Sequence, residues 1–410
     1  MNRSGWLLVV AILAGGLSAR AEAPRDPASL GFIKGISWGW VGSRGDYASP
    51  AAAESMKKLA DTGADWVCIA FAPNMDTYDT PEIRFGDANP EMATDAEIRH
   101  AIDLARHNNL QVIVKPVVNC RDGVWRSWIR FFRPVTDADR AQGITGEMDV
   151  WREQATMREG EVKDLDKWNQ WWDDYMDFIV HYARLAEEKQ APVLCIGCEM
   201  GSTEEFEDKW RELIARVRKV YSGQVTYDLN HGRENAIPWL DALDFVSVSA
   251  YHPIPVADGR PLEEAVKQTT SFEEIMAGMA PVRQRMREVS AKFGKPILFI
   301  ETGCTSVRGC AHTPWAHVAE TVERPVDQQE QANYYRAQFE TYWNEPWFMG
   351  WCWWDWPARL YDASRADRDR SFCPYGKQAE GLLRAWYAKS RDGGVVTKPA
   401  AGADTAATAD

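Results

Sequence analysis

Ala191-Pro-Val-Leu-Cys-Ile-Gly-Cys-Glu199 is a short apolar run with a proline near its start and a carboxylate at its end. Its apolar residues are successive, not alternating, which is the mark of a strand covered on both faces, as in a parallel sheet. Runs of the same kind recur along the chain. They are Phe32–Ser37, Trp66–Phe71, Gln111–Val118, Val193–Glu199, Gln224–Leu229, Phe245–Ala250, Ile297–Glu301 and Phe348–Trp353. Between them lie amphipathic stretches of helical period: Ala51–Thr62, Asp95–Asn108, Trp168–Glu188, Glu204–Tyr221, Ser271–Phe293 and Gln328–Asn344. Ser49-Pro50 supplies a cap and a first-turn proline to the first of these, and Gly63 closes it. Eight strands alternating with helices predict an α/β fold, a single (β/α)8 TIM barrel over residues 27–390, in preference to an open doubly wound sheet. No G-x-G-x-x-G follows the first strand and no phosphate-loop signature occurs, so nucleotide-binding readings lose their support.

The chain has 410 residues and a formal net charge of -13, with no Lys/Arg-rich block. That balance speaks against nucleic acid or an anionic membrane surface as a partner. At the N-terminus Arg3 precedes an apolar run from Trp6 to Leu13, and small residues lead to Ala21-Glu22-Ala23. This reads as a signal peptide over residues 1–23, so the mature protein is expected to be exported, to the periplasm or outside the cell, without an integral membrane segment. Residues 391–410 are Gly, Ala, Thr and Asp with few large apolar groups and read as a disordered tail. Of the eight cysteines, Cys68, Cys195, Cys198 and Cys352 fall inside strand-like runs and are expected to be buried thiols. Cys304 and Cys310 lie close enough in one loop to pair; Cys120 and Cys373 are further loop positions. Cys195-Ile-Gly-Cys198 has C-x-x-C spacing, but residues three apart on a regular strand face opposite ways, which argues against a metal knuckle.

In a barrel the ionisable residues at the C-terminal strand ends are the first site candidates. Glu199 ends the fourth strand and Glu301 the seventh, each closing a buried apolar run where an unpaired carboxylate is costly. Two carboxyls about 5 Å apart are what a retaining glycosidase requires, one protonating the leaving oxygen and one attacking the sugar carbon. An ionised Glu301 would keep Glu199 protonated; once Glu301 is esterified, Glu199 becomes free to act as base. Tyr251 closes the sixth strand, where its phenol can orient Glu301. The eighth ends in Trp351-Cys352-Trp353-Trp354-Asp355-Trp356, and Trp353 and Trp354 are expected to present indole faces to sugar C–H faces. Lys115 in the third strand and Asn119, Arg121 and Asp122 after it are candidates for hydrogen bonds to hydroxyls or for bracing the long segment 119–166 that follows. Trp38, at the end of the first strand, is a further sugar-contact candidate.

Several motifs together resemble glycoside hydrolase family 113. They are Gly35-Ile-Ser-Trp-Gly-Trp40, Lys115-Pro-Val-Val-Asn119, Cys195-Ile-Gly-Cys-Glu199, Ile300-Glu-Thr-Gly303 and Ser371-Phe-Cys-Pro-Tyr-Gly-Lys-Gln-Ala-Glu380. The resemblance runs from about residue 30 to 387. It implies a clan A barrel acting on β-1,4-mannan or glucomannan, with Glu199 as acid/base, Glu301 as nucleophile, Tyr251 as its partner and a Trp of the eighth strand as sugar platform. Most clan A enzymes carry Asn directly before the acid/base, where it contacts the sugar 2-hydroxyl; here the residue is Cys198, so recognition at C2 must differ. Another β-glycan such as xylan or β-glucan, exo-action on short β-glycosides, and a catalytically silent glycan-binding barrel stay open as alternatives. A metal-dependent barrel hydrolase would need histidines grouped at strand ends. Only seven histidines occur, none as H-x-H, and only His252 lies just beyond a strand, so neither metal nor cofactor is expected.

Overall fold

A computed structural model describes residues 25–146 and 159–391. The expected signal peptide, positions 147–158 of the long third connection, and the tail beyond Arg391 lie outside the described residues. Eight parallel strands close into a barrel: β1 (Ile33–Trp38), β2 (Trp66–Phe71), β3 (Gln111–Pro116), β4 (Val193–Cys198), β5 (Gln224–Asn230), β6 (Val246–Ser249), β7 (Ile297–Thr302) and β8 (Phe348–Trp356). Neighbours in sequence are neighbours in the ring, and β8 pairs with β1 to close it, Ile33 opposite Gly350.

Among the described residues, seven helices of ten residues or more pack around the ring: α1 (Pro50–Ala60), α2 (Asp95–His107), α3 (Leu165–Glu188), α4 (Glu207–Arg218), α5 (Phe272–Phe293), α6 (Gln328–Tyr342) and α7 (Gln378–Tyr387). Their ends follow the local chemistry. Ser49 accepts from the backbone N–H of Ala52 ahead of Pro50, Thr94 and Glu97 form a reciprocal capping box, and Gly294 ends α5 in a left-handed conformation. Only a 3-10 turn, Pro238–Ala242, stands between β5 and β6, so that crossover has no α-helix.

The core has two layers. Ile33, Cys68, Ile113, Cys195, Leu298, Ile300 and Cys352 form one fully buried cluster drawn from strands around the ring. A second and larger cluster joins the other strand faces to the helices, with Trp171, Trp172 and Trp210 among its largest side chains. Most of the tryptophans serve this shell. The segment after β3 is tied down at its root, where Asn74–Met75 pairs with Asn119–Cys120, and by an antiparallel ribbon of Phe132–Pro134 with Glu161–Lys163. No described helix is long and apolar enough to cross a membrane. All eight cysteines are buried thiols, and the Sγ atoms of Cys304 and Cys310 lie 3.1 Å apart.

Candidate active site

Over the C-terminal mouth of the barrel lies a cavity of about 780 Å³ that contains Glu199 and Glu301 in its wall. Glu199 follows the last residue of β4 with φ 53°, a left-handed turn that lifts its side chain off the strand line. Its backbone N–H still donates to the Asp228 carbonyl of β5 at 2.8 Å. The carboxylate Oε2 receives Trp125 Nε1 and Arg126 Nη2, each at 3.2 Å. Arg126 is fixed in turn by donating to the Cys198 carbonyl at 3.0 Å and to Asn119 Oδ1 at 2.9 Å. Burial pushes the Glu199 carboxyl above the ordinary glutamate range; Arg126 opposes that and the nearby Glu301 reinforces it.

Glu301, on β7, sits in different company. Its Oε2 accepts the Tyr251 hydroxyl at 3.3 Å, and its Oε1 is bonded to the Lys115 ammonium. Lys115 is wholly buried and also donates to Asp228 Oδ2 at 2.5 Å. Ser249 Oγ and Cys198 Sγ complete the surroundings of that oxygen at 3.1 and 3.3 Å. Burial raises the Asp228 carboxyl above the ordinary aspartate range, the Lys115 ammonium pulls it down, and Glu301 and Glu199 push it up. Cys198, Asp228 and Glu301 are grouped tightly enough to grip a metal ion. The Lys115 ammonium, bonded to both carboxylates, supplies the positive charge they need.

Trp354 and Trp40 meet edge to face, centroids 5.2 Å apart, and both line the cavity. Trp315, also in the cavity wall, stacks on His231, 5.5 Å between centroids at 20°. Asn119 and Tyr251 also line the cavity, as expected of them. Two expected sugar contacts do not. Trp353 is fully buried and stacked on Tyr335 of α6 at 3.8 Å, and Trp38 is fully buried with its indole N–H on Ser55 of α1. Side chains alternate along a strand, so Trp351 and Trp353 share the helix-facing side while Trp354 turns to the mouth. Lys115 does not line the cavity either; its ammonium is spent on Asp228 and on Glu301. Arg121 and Asp122 brace the long segment, pairing with Glu91 and with the Tyr78 backbone. His252 is buried against Glu234 at 2.7 Å.

Reading the sequence alone overlooked Asp228, Trp125 and Arg126, and also Asn230 and Trp315, which line the cavity. Asp228 had a visible signal, a carboxylate inside the apolar run of β5 that a lysine inside β3 could neutralise. Trp125 and Arg126 had none, since they lie in an irregular connection. The expectation that Cys195 and Cys198 face opposite sides also fails. The β4–β5 register is irregular between them, and Cys195 joins the inner core while Cys198 turns to Asp228.

The model of glycoside hydrolase family 113 matches residues 36–142 and 144–377. The chain belongs to glycoside hydrolase family 113. As a family 113 member it is a glycoside hydrolase, with the (β/α)8 barrel described above. Among solved structures, the family 113 β-mannanase AaManA from Alicyclobacillus acidocaldarius, determined in complex with ManMIm, is 35% identical, with a TM-score of 0.70; the match covers 88% of this chain and 99% of that one. A family 113 β-1,4-mannanase determined as a complex is 31% identical over the same shares, with a TM-score of 0.69. The β-glucuronidase of Faecalibacterium prausnitzii, 12% identical over 87% of this chain and 49% of that one at a TM-score of 0.51, shares the fold alone. No curated protein matches the chain.

Proposed function

We propose that this enzyme hydrolyses β-1,4-linked mannan or glucomannan by a retaining double displacement, with Glu301 as nucleophile and Glu199 as acid/base. The observation that carries the mechanism is the unlike surroundings of the two carboxyls in one cavity. Both are buried, but Glu301 is paired with an ammonium and a phenol, whereas Glu199 is held toward its protonated form by burial and by Glu301 against the pull of Arg126. In the first step Glu301 attacks the anomeric carbon, the glycosidic C–O bond breaks, and its electron pair takes the proton of Glu199. In the second, Glu199 removes a proton from water, the water oxygen attacks the same carbon, and the bond to Glu301 breaks to restore the carboxylate. The family 113 β-mannanases of related sequence support mannan as the substrate. Trp354 and Trp40 would supply the apolar floor for the sugar.

The test is reducing-sugar release from β-mannan, glucomannan, xylan, β-glucan and cellulose, with Glu301→Ala as control. Release from the two mannans, reduced roughly 10³-fold or more in the control, is the expected result. Release from xylan or β-glucan alone would replace the substrate, and full activity of Glu301→Ala would remove the nucleophile. Proton NMR of the first product should show the β-anomer. We also infer export after cleavage at Ala23; an N-terminus of the secreted protein that retains residues 1–23 would refute it.

A further inference from the structure

Lys115, Asp228 and Glu301 come from β3, β5 and β7, the alternate strands whose inward side chains share one layer of a barrel. One ammonium there serves two carboxylates, and all three groups are sealed from solvent or nearly so. Three donors converge on Asp228 Oδ2, from Lys115, Ser249 and Cys198, while Oδ1 has no hydrogen-bond partner among the described residues. Asp228 does not line the substrate cavity. Its carboxylate reaches Glu301 through Lys115 and Cys198, while its backbone carbonyl holds the Glu199 N–H.

The two steps of the proposed mechanism load this layer differently, and the inference rests on that mechanism. When Glu301 forms its ester, its negative charge disappears and Lys115 is left with Asp228 as the anion bonded to it. A buried ammonium without a counter-charge is strongly disfavoured. When water releases the sugar, the charge returns to Glu301 beside the same ammonium. We propose that Asp228 is a positioning residue that holds the Lys115 ammonium while Glu301 is esterified, so that formation of the glycosyl-enzyme depends on it and breakdown does not. With Asp228 neutralised, Lys115 would bind Glu301 alone, restrain it as a nucleophile, and stand unpaired in the intermediate. Both effects oppose the first step, and the second favours departure of the Glu301 carboxylate.

The experiment separates the steps with 2-deoxy-2-fluoro-β-mannobiosyl fluoride, whose fluoride leaves without needing a proton and whose adduct turns over slowly. Inactivation reports ester formation; recovery of activity after removing excess reagent reports breakdown. In Asp228→Asn, inactivation should slow about 100-fold or more, while recovery stays as fast as in the unaltered enzyme or becomes faster. The variant Lys115→Met with Asp228→Asn removes both charges. It should restore the ratio of the two rates to the unaltered value or above it, and it serves where the single variant does not fold. Equal slowing of both steps, unaltered inactivation, or a double variant as unbalanced as the single one would each overturn the inference. Mass spectrometry of the labelled peptide keeps the two readings apart. Label absent from the unaltered enzyme, or on a residue other than Glu301, overturns the nucleophile assignment and this inference with it. Label on Glu301 with equal slowing overturns the inference alone.

Discussion

At the level of single residues, the proton on Glu199 is governed by burial and by charged neighbours whose effects have opposite signs. Burial and Glu301 favour the acid, and Arg126 favours the carboxylate. Glu301→Gln mimics the esterified state by removing charge, so it should lower the Glu199 pKa, read by carbon-13 NMR of labelled glutamate; a rise would contradict the proton cycle. Arg126→Gln should act the other way. Losing the guanidinium raises the Glu199 pKa, so the alkaline limb of kcat/KM moves to higher pH, and a limb that stays put or moves down would show that Arg126 does not set it. The two glutamates were readable from the sequence because each closes an apolar run, where a charge demands a reason. The platform tryptophans were not resolved by the same means. Trp351, Trp353 and Trp354 look alike in a list of letters, and only the two-residue alternation of a strand, interrupted near the mouth, decides which one turns inward.

At the level of elements, the strands were legible because burial on both faces forces continuous apolar runs. Trp66–Phe71 was expected with the bounds it has; five other strands start where expected and differ by one to three residues at their C-terminal ends, and the remaining two differ by one residue at each end. The segment between β3 and α3 was not legible, because its ribbons and short turns are held by contacts distant in sequence. Closure of the ring depends on a glycine. A Cβ at Gly350 would stand 2.0 Å from the Ile33 carbonyl oxygen, and the residue has φ 130°. Gly350→Ala should therefore cost about 3 kcal/mol or more through strain and overpacking at the β8–β1 seam. Denaturant unfolding checks this, and a loss below about 1 kcal/mol, typical of a tolerant site, would show that the seam can give.

For the whole molecule, pH acts on stability through buried carboxyls. Burial lifts Asp355 to about 6 despite Lys377. The folded state then binds its proton more tightly than the unfolded chain, so stability falls as pH rises from about 4 toward 6, by up to about 3 kcal/mol. Glu234 runs the opposite way. Burial pushes it up, but its bond to His252 prevails and holds it at about 2, so its stabilisation is lost as pH falls below about 4.5. Melting temperature should thus peak at about pH 4 to 4.5 and decline toward about pH 6, and Asp355→Asn should flatten that decline; an unchanged slope between about pH 4 and 6 would assign it elsewhere. EDTA should leave activity intact, since Lys115 provides the charge for the carboxylates that could hold an ion, and a reproducible loss would show otherwise. The two glutamates also differ in where their partners come from. Lys115 and Tyr251 belong to the barrel strands and their ends, whereas Trp125 and Arg126 arrive from the excursion after β3. Evolution, or an engineer, can therefore retune the working pH by editing one surface excursion, leaving the nucleophile and the scaffold that carries it untouched.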